Sequence, residues 1–311
     1  MLYYIMNNVE LLVEAFNLEH AKECIKNKIP NLILGNEIFA SRLSYSFNES
    51  EIQSLVNNKS TTKIWIKVNT FFFENEINRL IAYLRWLSRI KVDYVIFSDF
   101  AVVQINDELD LKLNLHYNPE TIVCSYGQLD FYKKCNFTGV FLAKEIMWNE
   151  LEEISKNKNG IKIEIQGHGY GFIMHSRWKL INNFYDYYQI NKNDDQQFLK
   201  IKEKLRKIPN LIFEDRHGTH MLTGYLISSL NLIEKLKKIN IDYLKLDFLF
   251  TNEDYAKKIT NLYQDVINNK ILINKACDLM VEYSKDFIIS NSFLGGYKDI
   301  LHLEKEDSNE K

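Results

Sequence analysis

Residues 163–177 read Ile163-Glu164-Ile165-Gln166-Gly167-His168-Gly169-Tyr170-Gly171-Phe172-Ile173-Met174-His175-Ser176-Arg177. The stretch opens as an alternating strand and then passes three glycines in five positions, with a histidine between the first two. Glycines there let the backbone turn sharply and let a ligand come close. Polar groups bunched at a strand's exit are expected at the mouth of a barrel or an open α/β sheet. The plainer alternative is a tight strand-to-helix turn carrying a half-buried histidine.

The flanking chain favours the first reading. Val9–Glu14, Asn31–Leu34, Lys63–Asn69, Tyr94–Phe97, Leu111–Tyr117, Gly139–Ala143, Ile161–Gln166 and Tyr243–Asp247 read as eight strands. Amphipathic helices separate them. Asn17 is a plausible N-cap, Asn48 and Glu51 have capping-box spacing, and Ile77, Leu80, Ile81, Leu84 and Leu87 form one apolar stripe. Alternating strands and helices imply parallel pairing, and eight units in about 250 residues fit an α/β TIM-type (β/α)8 barrel. The first strand lacks a glycine fingerprint for dinucleotides. The span between the last two strands is too long for one helix, so an insertion is expected at about 180–222, over the mouth. The expected organisation is a single barrel over 1–270, a C-terminal helical extension over 271–302, and a disordered tail over 303–311.

Composition narrows the class. An apolar share of 46% in 311 residues supports a sizeable core, and a net charge of −2 means that any basic surface is local. Cys24, Cys124, Cys135 and Cys277 are widely spread and read as reduced, core-packed thiols, with Cys124 and Cys135 on the helix after the fifth strand. The N-terminus lacks a signal-peptide pattern, and no run reaches the about 20 apolar residues of a membrane span. A cytoplasmic protein is expected.

Strand C-terminal ends carry barrel chemistry. Here they supply Glu14, Asn69, Asp99, His116, Glu120, Glu145, His168 and Asp247, with Lys144 beside Glu145. Five of the seven histidines (His116, His168, His175, His217, His220) fall between the fifth strand and the insertion. Their spacings match no metal-ligand motif, so no metal is expected. Ser176 and Ser228 lie outside any nucleophile elbow, and hydrolysis has no visible nucleophile. Lys200, Lys202, Lys204, Arg206 and Lys207 read as a charged helix face, either solvated or tracking phosphates. Arg177 and Trp178 are placed to stack a base or hold an anion.

The blocks Glu164–Arg177, Glu10–Ala15, Ala40–Leu43, Val68–Phe72, His116–Thr121, Leu142–Glu145, Glu214–His220 and Leu244–Asp247 together resemble the U32 "peptidase" family, over roughly residues 9–270. The length is similar to that of the short paralogue found in Gram-positive bacteria beside a longer one. The resemblance implies a TIM barrel. It also implies either the older role, peptidase action on collagen-like chains, or a hydroxylation pathway such as prephenate-dependent formation of 5-hydroxyuridine at the tRNA wobble position. Members of those pathways commonly hold a 4Fe–4S cluster through cysteines. The matching positions are Phe172, Lys179 and Ser228, so no cluster is expected. Lys144 in place of arginine and Phe248 in place of glycine are further departures.

The resemblance suggests a cluster-free subunit or paralogue in tRNA wobble-uridine hydroxylation, with tRNA and a longer U32 paralogue as partners and prephenate as co-substrate. In that role His116 and His168 act as acid, base or anion binders, oriented by Asp99, Glu145 and Asp247. Arg42, Lys144 and Arg177 hold a carboxylate or phosphate, and Asn69, Glu120, Glu164 and His220 complete the substrate-binding set. The alternatives are a U32 peptidase and a non-catalytic RNA- or partner-binding scaffold.

Overall fold

The structure, a computed structural model, describes residues 9–191, 196–204 and 207–290. Seven strands run parallel in chain order: β1 (Glu10–Glu14), β2 (Asn31–Gly35), β3 (Lys63–Val68), β4 (Tyr94–Phe97), β5 (Leu115–Tyr117), β6 (Gly139–Phe141) and β7 (Lys162–Ser176). Next come three antiparallel strands, β8 (Leu199–Ile201), β9 (Asn210–Asp215) and β10 (Gly218–Ser228). Then β11 (Tyr243–Leu246) pairs parallel with both β7 and β1 and closes an eight-stranded TIM-type barrel. A short β12 (Ile289–Ser290) adds to β10.

Helices α1 (Leu18–Lys26), α2 (Glu49–Asn57), α3 (Ile77–Ile90), α4 (Ala101–Glu108), α5 (Tyr126–Lys134) and α6 (Trp148–Lys156) fill the crossovers. The Asn17 side chain accepts from His20 N and caps α1, and Asn48 with Glu51 forms the reciprocal box that starts α2. Leu80, Leu84 and Leu87 bury the stripe of α3. Helices α7 (Leu180–Tyr188), α8 (Ile233–Lys238), α9 (Glu253–Ile267) and α10 (Ile273–Tyr283) follow, α10 packing as the C-terminal helical segment.

Strand alternation sorts the side chains into two sets. Leu11, Val13, Leu32, Leu34, Ile64, Ile66, Val68, Val95 and Phe97 belong to the core under the helices, while Leu12, Ile33, Trp65, Ile96 and Tyr243 fill the barrel itself. The same inward parity carries Glu14, Lys67, Gln166 and Lys245 at the C-terminal end, so the barrel is apolar below and charged above.

Several expectations need correction. The chain does not turn at the glycines. β7 runs unbroken for 15 residues, pairing parallel with β11 and then antiparallel with β10. A Cβ at Gly169, where φ is +128°, would sit 2.8 Å from Asp247 Cβ, and one at Gly171 2.8 Å from Ile227 Cδ1. These glycines admit neighbouring strands rather than a ligand. The insertion consists of α7 and the antiparallel strands β8, β9 and β10, the last pairing with β7 as far as Ser228. Among the described residues the expected basic helix does not form: Lys200 lies in β8 and Lys202, Lys204 and Lys207 lie outside any helix, while Arg206 falls outside the described residues. Residues 111–114 precede β5 without joining it. Of the cysteines only Cys24 is buried; Cys124 is exposed ahead of α5, and Cys135 and Cys277 are half-buried. The expected tail at 303–311 lies outside the described residues. Among those described, no helix is long and apolar enough to cross a membrane.

Candidate active site at the barrel mouth

The charged top of the barrel starts with two inward lysines. Lys67 Nζ donates to both Glu14 carboxylate oxygens, at 2.8 and 3.0 Å, and to Arg42 O at 3.2 Å. On β11, the neighbour of β1, Lys245 Nζ stands 3.7 Å from Glu14 Oε2 and 3.7 Å from Asp247 Oδ2. Those separations are too long for hydrogen bonds. The Lys245 side chain is only 5% exposed and lines the cavity at the mouth with Arg42, Glu120, Lys144, Gln166 and Asp247. Its ammonium is thus nearly dry, lies near two carboxylates, and has no acceptor within hydrogen-bond distance among the described residues.

Above it, the loops after β2 and β5 meet. Arg42 NH2 donates to Glu120 Oε1 at 2.6 Å, and the guanidinium lies 4.7 Å from the centre of the Phe172 ring. Both backbones take left-handed φ, 57° at Arg42 and 63° at Glu120, a conformation held by fixed loop contacts. One such contact runs from Arg42 N to Asp215 Oδ2 at 2.9 Å, and another from Ser41 N to Asn69 Oδ1 at 3.0 Å. Burial pushes the Glu120 carboxyl up, but the Arg42 guanidinium, with Lys245 and Lys67 behind it, outweighs burial and holds it at about 2. Burial raises the Glu14 carboxyl in spite of Lys67. Glu120 is therefore an ionised acceptor, and Glu14 a carboxyl drawn toward holding a proton.

The β7–β10 sheet forms one wall. His220 Nε2 lies 2.8 Å from Asp215 Oδ1, and its Nδ1 lies 3.3 Å from both Arg42 NH1 and His175 Nδ1. The His175 and His220 rings stack at 4.7 Å. Burial, then His220 and Arg42, lowers His175 to about 4, while burial lowers His220 against the pull of Asp215.

The structure brings together Arg42, Asn69, Glu120, Lys144, Asp247 and His220 of the expected set, on or beside the mouth. Lys144 pairs with Glu145 at 3.0 Å and also donates to Phe172 O. Glu145 itself is half exposed. The others lie elsewhere. His116 sits inside the barrel, its Nε2 2.8 Å from Glu164 Oε2, with both side chains fully buried. The two approach without hydrogen-bond alignment, and neither side chain has another partner among the described residues. Gly139 makes room, since a Cβ there would lie 2.7 Å from the His116 ring. His168 points away from the mouth, its Nε2 3.0 Å from Tyr255 OH on α9 and its ring near Phe248 and Tyr263. Burial drops His168 to about 3, leaving it neutral. Asp99 accepts from Phe72 N and Ala101 N, both at 2.9 Å, and so organises the start of α4. Arg177 lies beyond the sheet, on Phe73.

Sequence reading missed Lys67, Lys245, Gln166 and Asp215. The period-two pattern of KIWIKV and YLKL turns Lys67 and Lys245 inward with Trp65 and Tyr243, a signal available without coordinates. Asp215 carried no such signal, because its role depends on β9 folding back over the rim.

The sequence profile of peptidase family U32 matches residues 16–304. The chain belongs to peptidase family U32. It is 27% identical over 271 residues to tRNA hydroxylation protein P2 of Bacillus subtilis (strain 168), covering 85% of this chain and 87% of that protein. It is 22% identical over 266 residues to tRNA hydroxylation protein P1 of the same organism, covering 83% of this chain and 63% of that protein. An uncharacterized protease of Methanocaldococcus jannaschii is 27% identical over 224 residues, covering 68% of this chain and 52% of that protein.

The iron–sulfur cluster common in U32 hydroxylation members does not fit the residues of this U32 chain. Phe172 lies beside Arg42, Lys179 donates to Asp215 O, and the Ser228 hydroxyl lies 3.0 Å from Tyr263 OH. None is a thiolate. A protease dyad is equally unsupported. Cys24 Sγ lies 3.5 Å from His20 Nε2, but both are sealed under α9, where burial raises the thiol and lowers the imidazole to about 4. Neither group reaches solvent to attack a peptide.

Proposed function

We propose that this U32 chain serves tRNA hydroxylation as a cluster-free subunit whose barrel mouth holds an anionic group. The observation that carries this reading is Lys245, a buried ammonium lining the cavity with no acceptor inside hydrogen-bond distance among the described residues. A carboxylate or phosphate oxygen seated there would complete its shell, with Arg42 and Lys144 on the same cavity. The likeness to tRNA hydroxylation proteins P1 and P2 supports tRNA hydroxylation as the pathway; the wobble uridine as target and the carboxylates of prephenate as the anion are the reading that the family resemblance adds. Asp247 and Glu14 flank Lys245 and fix its position, and Glu120 fixes Arg42. A longer U32 paralogue would supply the redox chemistry that these residues lack.

Nucleoside mass spectrometry of tRNA from a strain lacking the chain tests the proposal. The expected result is loss of 5-hydroxyuridine, restored by the wild-type chain and not by Lys245→Met. Unchanged 5-hydroxyuridine in the deletion strain overturns it. Restoration by Lys245→Met would leave a scaffold role in its place.

A further inference from the structure

Beyond the mouth, the loop after β3 and the end of β7 carry an exposed cluster that the barrel does not need. Trp178 is 73% exposed, and Phe71 and Phe73 are exposed beside it. The Arg177 guanidinium lies 3.4 Å from the centre of the Phe73 ring, held there by Phe71 O at 2.6 Å and by Glu76 at 3.4 Å. Phe73, Glu76, Arg177, Trp178, Arg216 and His217 line one open cleft. Arg216 is exposed and has no ion-pair partner among the described residues.

Shared walls join this cleft to the mouth. Arg216 and His217 also line a second concavity, which Arg42 lines too. Arg42 in turn lines the cavity that holds Lys245. Arg177 and Arg216 thus line the outermost hollow, Arg42 and Arg216 the second and Arg42 the mouth cavity, and of the three only the outermost carries exposed aromatic faces. An apolar protein partner would cover the rings but would leave Arg216 facing nothing of opposite charge. A flexible polyanion bearing flat rings satisfies both features, through phosphates on the arginines and a base on Trp178.

We propose that these joined hollows form a track for an unpaired RNA strand, with Trp178 stacking one base, Arg177 and Arg216 holding phosphates, and the strand leading past Arg42 into the mouth. The inference rests on the tRNA reading above and adds the surface and the strandedness of the RNA.

Fluorescence anisotropy on the full chain with a labelled oligouridylate of about ten nucleotides tests it, with a duplex RNA of equal length as comparison. The exposed positions of Trp178 and Arg216 allow substitution without loss of the fold, which a thermal melt verifies. Wild type should prefer the single strand. Trp178→Ala should weaken binding about tenfold, as for the loss of one stacked base. Arg216→Ala should lower the salt slope by about 0.7, as for one lost phosphate. Single-strand affinity and salt slope that stay at wild-type values in both variants would overturn the track, as would equal or tighter binding of the duplex. If the variants instead lose co-purification with a protein while RNA binding is intact, the surface belongs to that protein. The 5-hydroxyuridine assay separates the two levels. A deletion strain with normal 5-hydroxyuridine removes the pathway, whereas loss of 5-hydroxyuridine with unaltered RNA binding by both variants removes only the track.

Discussion

The Arg42 guanidinium on the loop after β2 meets the Glu120 carboxylate on the loop after β5 at 2.6 Å, so one ion pair clamps two loops together over the barrel mouth. Side chains 10% and 13% exposed make the pair nearly dry. Removing one member strands the other's charge in low dielectric.

Arg42→Ala should therefore destabilise the chain by about 3–5 kcal/mol, and the double variant with Glu120→Ala by clearly less than the sum of the singles. Urea denaturation of the four proteins of the cycle measures this. Additive losses would mean that the two groups act independently.

The same pair sets an acid limit. Arg42 holds the Glu120 carboxyl at about 2 in the fold, below its ordinary value of 4.5, so its contribution is complete above about 4.5 and fades as pH falls toward 2. Glu120→Gln should flatten the melting temperature against pH in that window, and an unchanged slope would contradict the assignment.

His168 acts at milder pH. Burial lowers it to about 3 from the ordinary 6.5, so the unfolded chain binds the extra proton and stability falls as pH drops from about 6.5. His20, lowered to about 4 by burial, adds in the same direction. His168→Gln should remove part of the loss in melting temperature between about pH 6.5 and pH 4. It should also weaken the fold by about 0.5–1.5 kcal/mol through the lost bond to Tyr255, whose hydroxyl keeps Ser284 Oγ at 3.1 Å. A variant as stable as wild type, but inactive, would return His168 to the chemistry.

Gly169→Ala should cost about 1–3 kcal/mol, since φ is +128° and the added Cβ meets Asp247. Because that contact would move Asp247 beside Lys245, loss of 5-hydroxyuridine should exceed what the lost stability explains. Expression-matched complementation followed by tRNA mass spectrometry checks this.

Thiol reactivity separates the cysteines. Iodoacetamide should alkylate Cys124 first and leave Cys24 unmodified in the folded chain, because Cys24 is buried with a raised thiol. Peptide mapping reads the order, and rapid labelling of Cys24 would reopen a Cys–His nucleophile.

Local patterns in the chain carried most of the barrel. The alternation in β1, β3 and β11, the Asn17 and Asn48 caps and the stripe of α3 are properties of neighbours a few residues apart, and a linear reading reaches them. The U32 blocks added the family. By themselves these determined eight strands, a closed α/β barrel and charged groups at the strand ends. Only the tertiary structure decided which of those groups meet. His168 follows Gln166 by two residues, yet a bulge against β11 turns it out toward α9, while Gln166 stays at the mouth. The sheet of β7 to β10 brings Asp215 and His220 to Arg42 from about 175 residues away. Side-chain direction at a bulge and contact across long separation depend on the packing of the whole chain, and no short window of sequence holds that information.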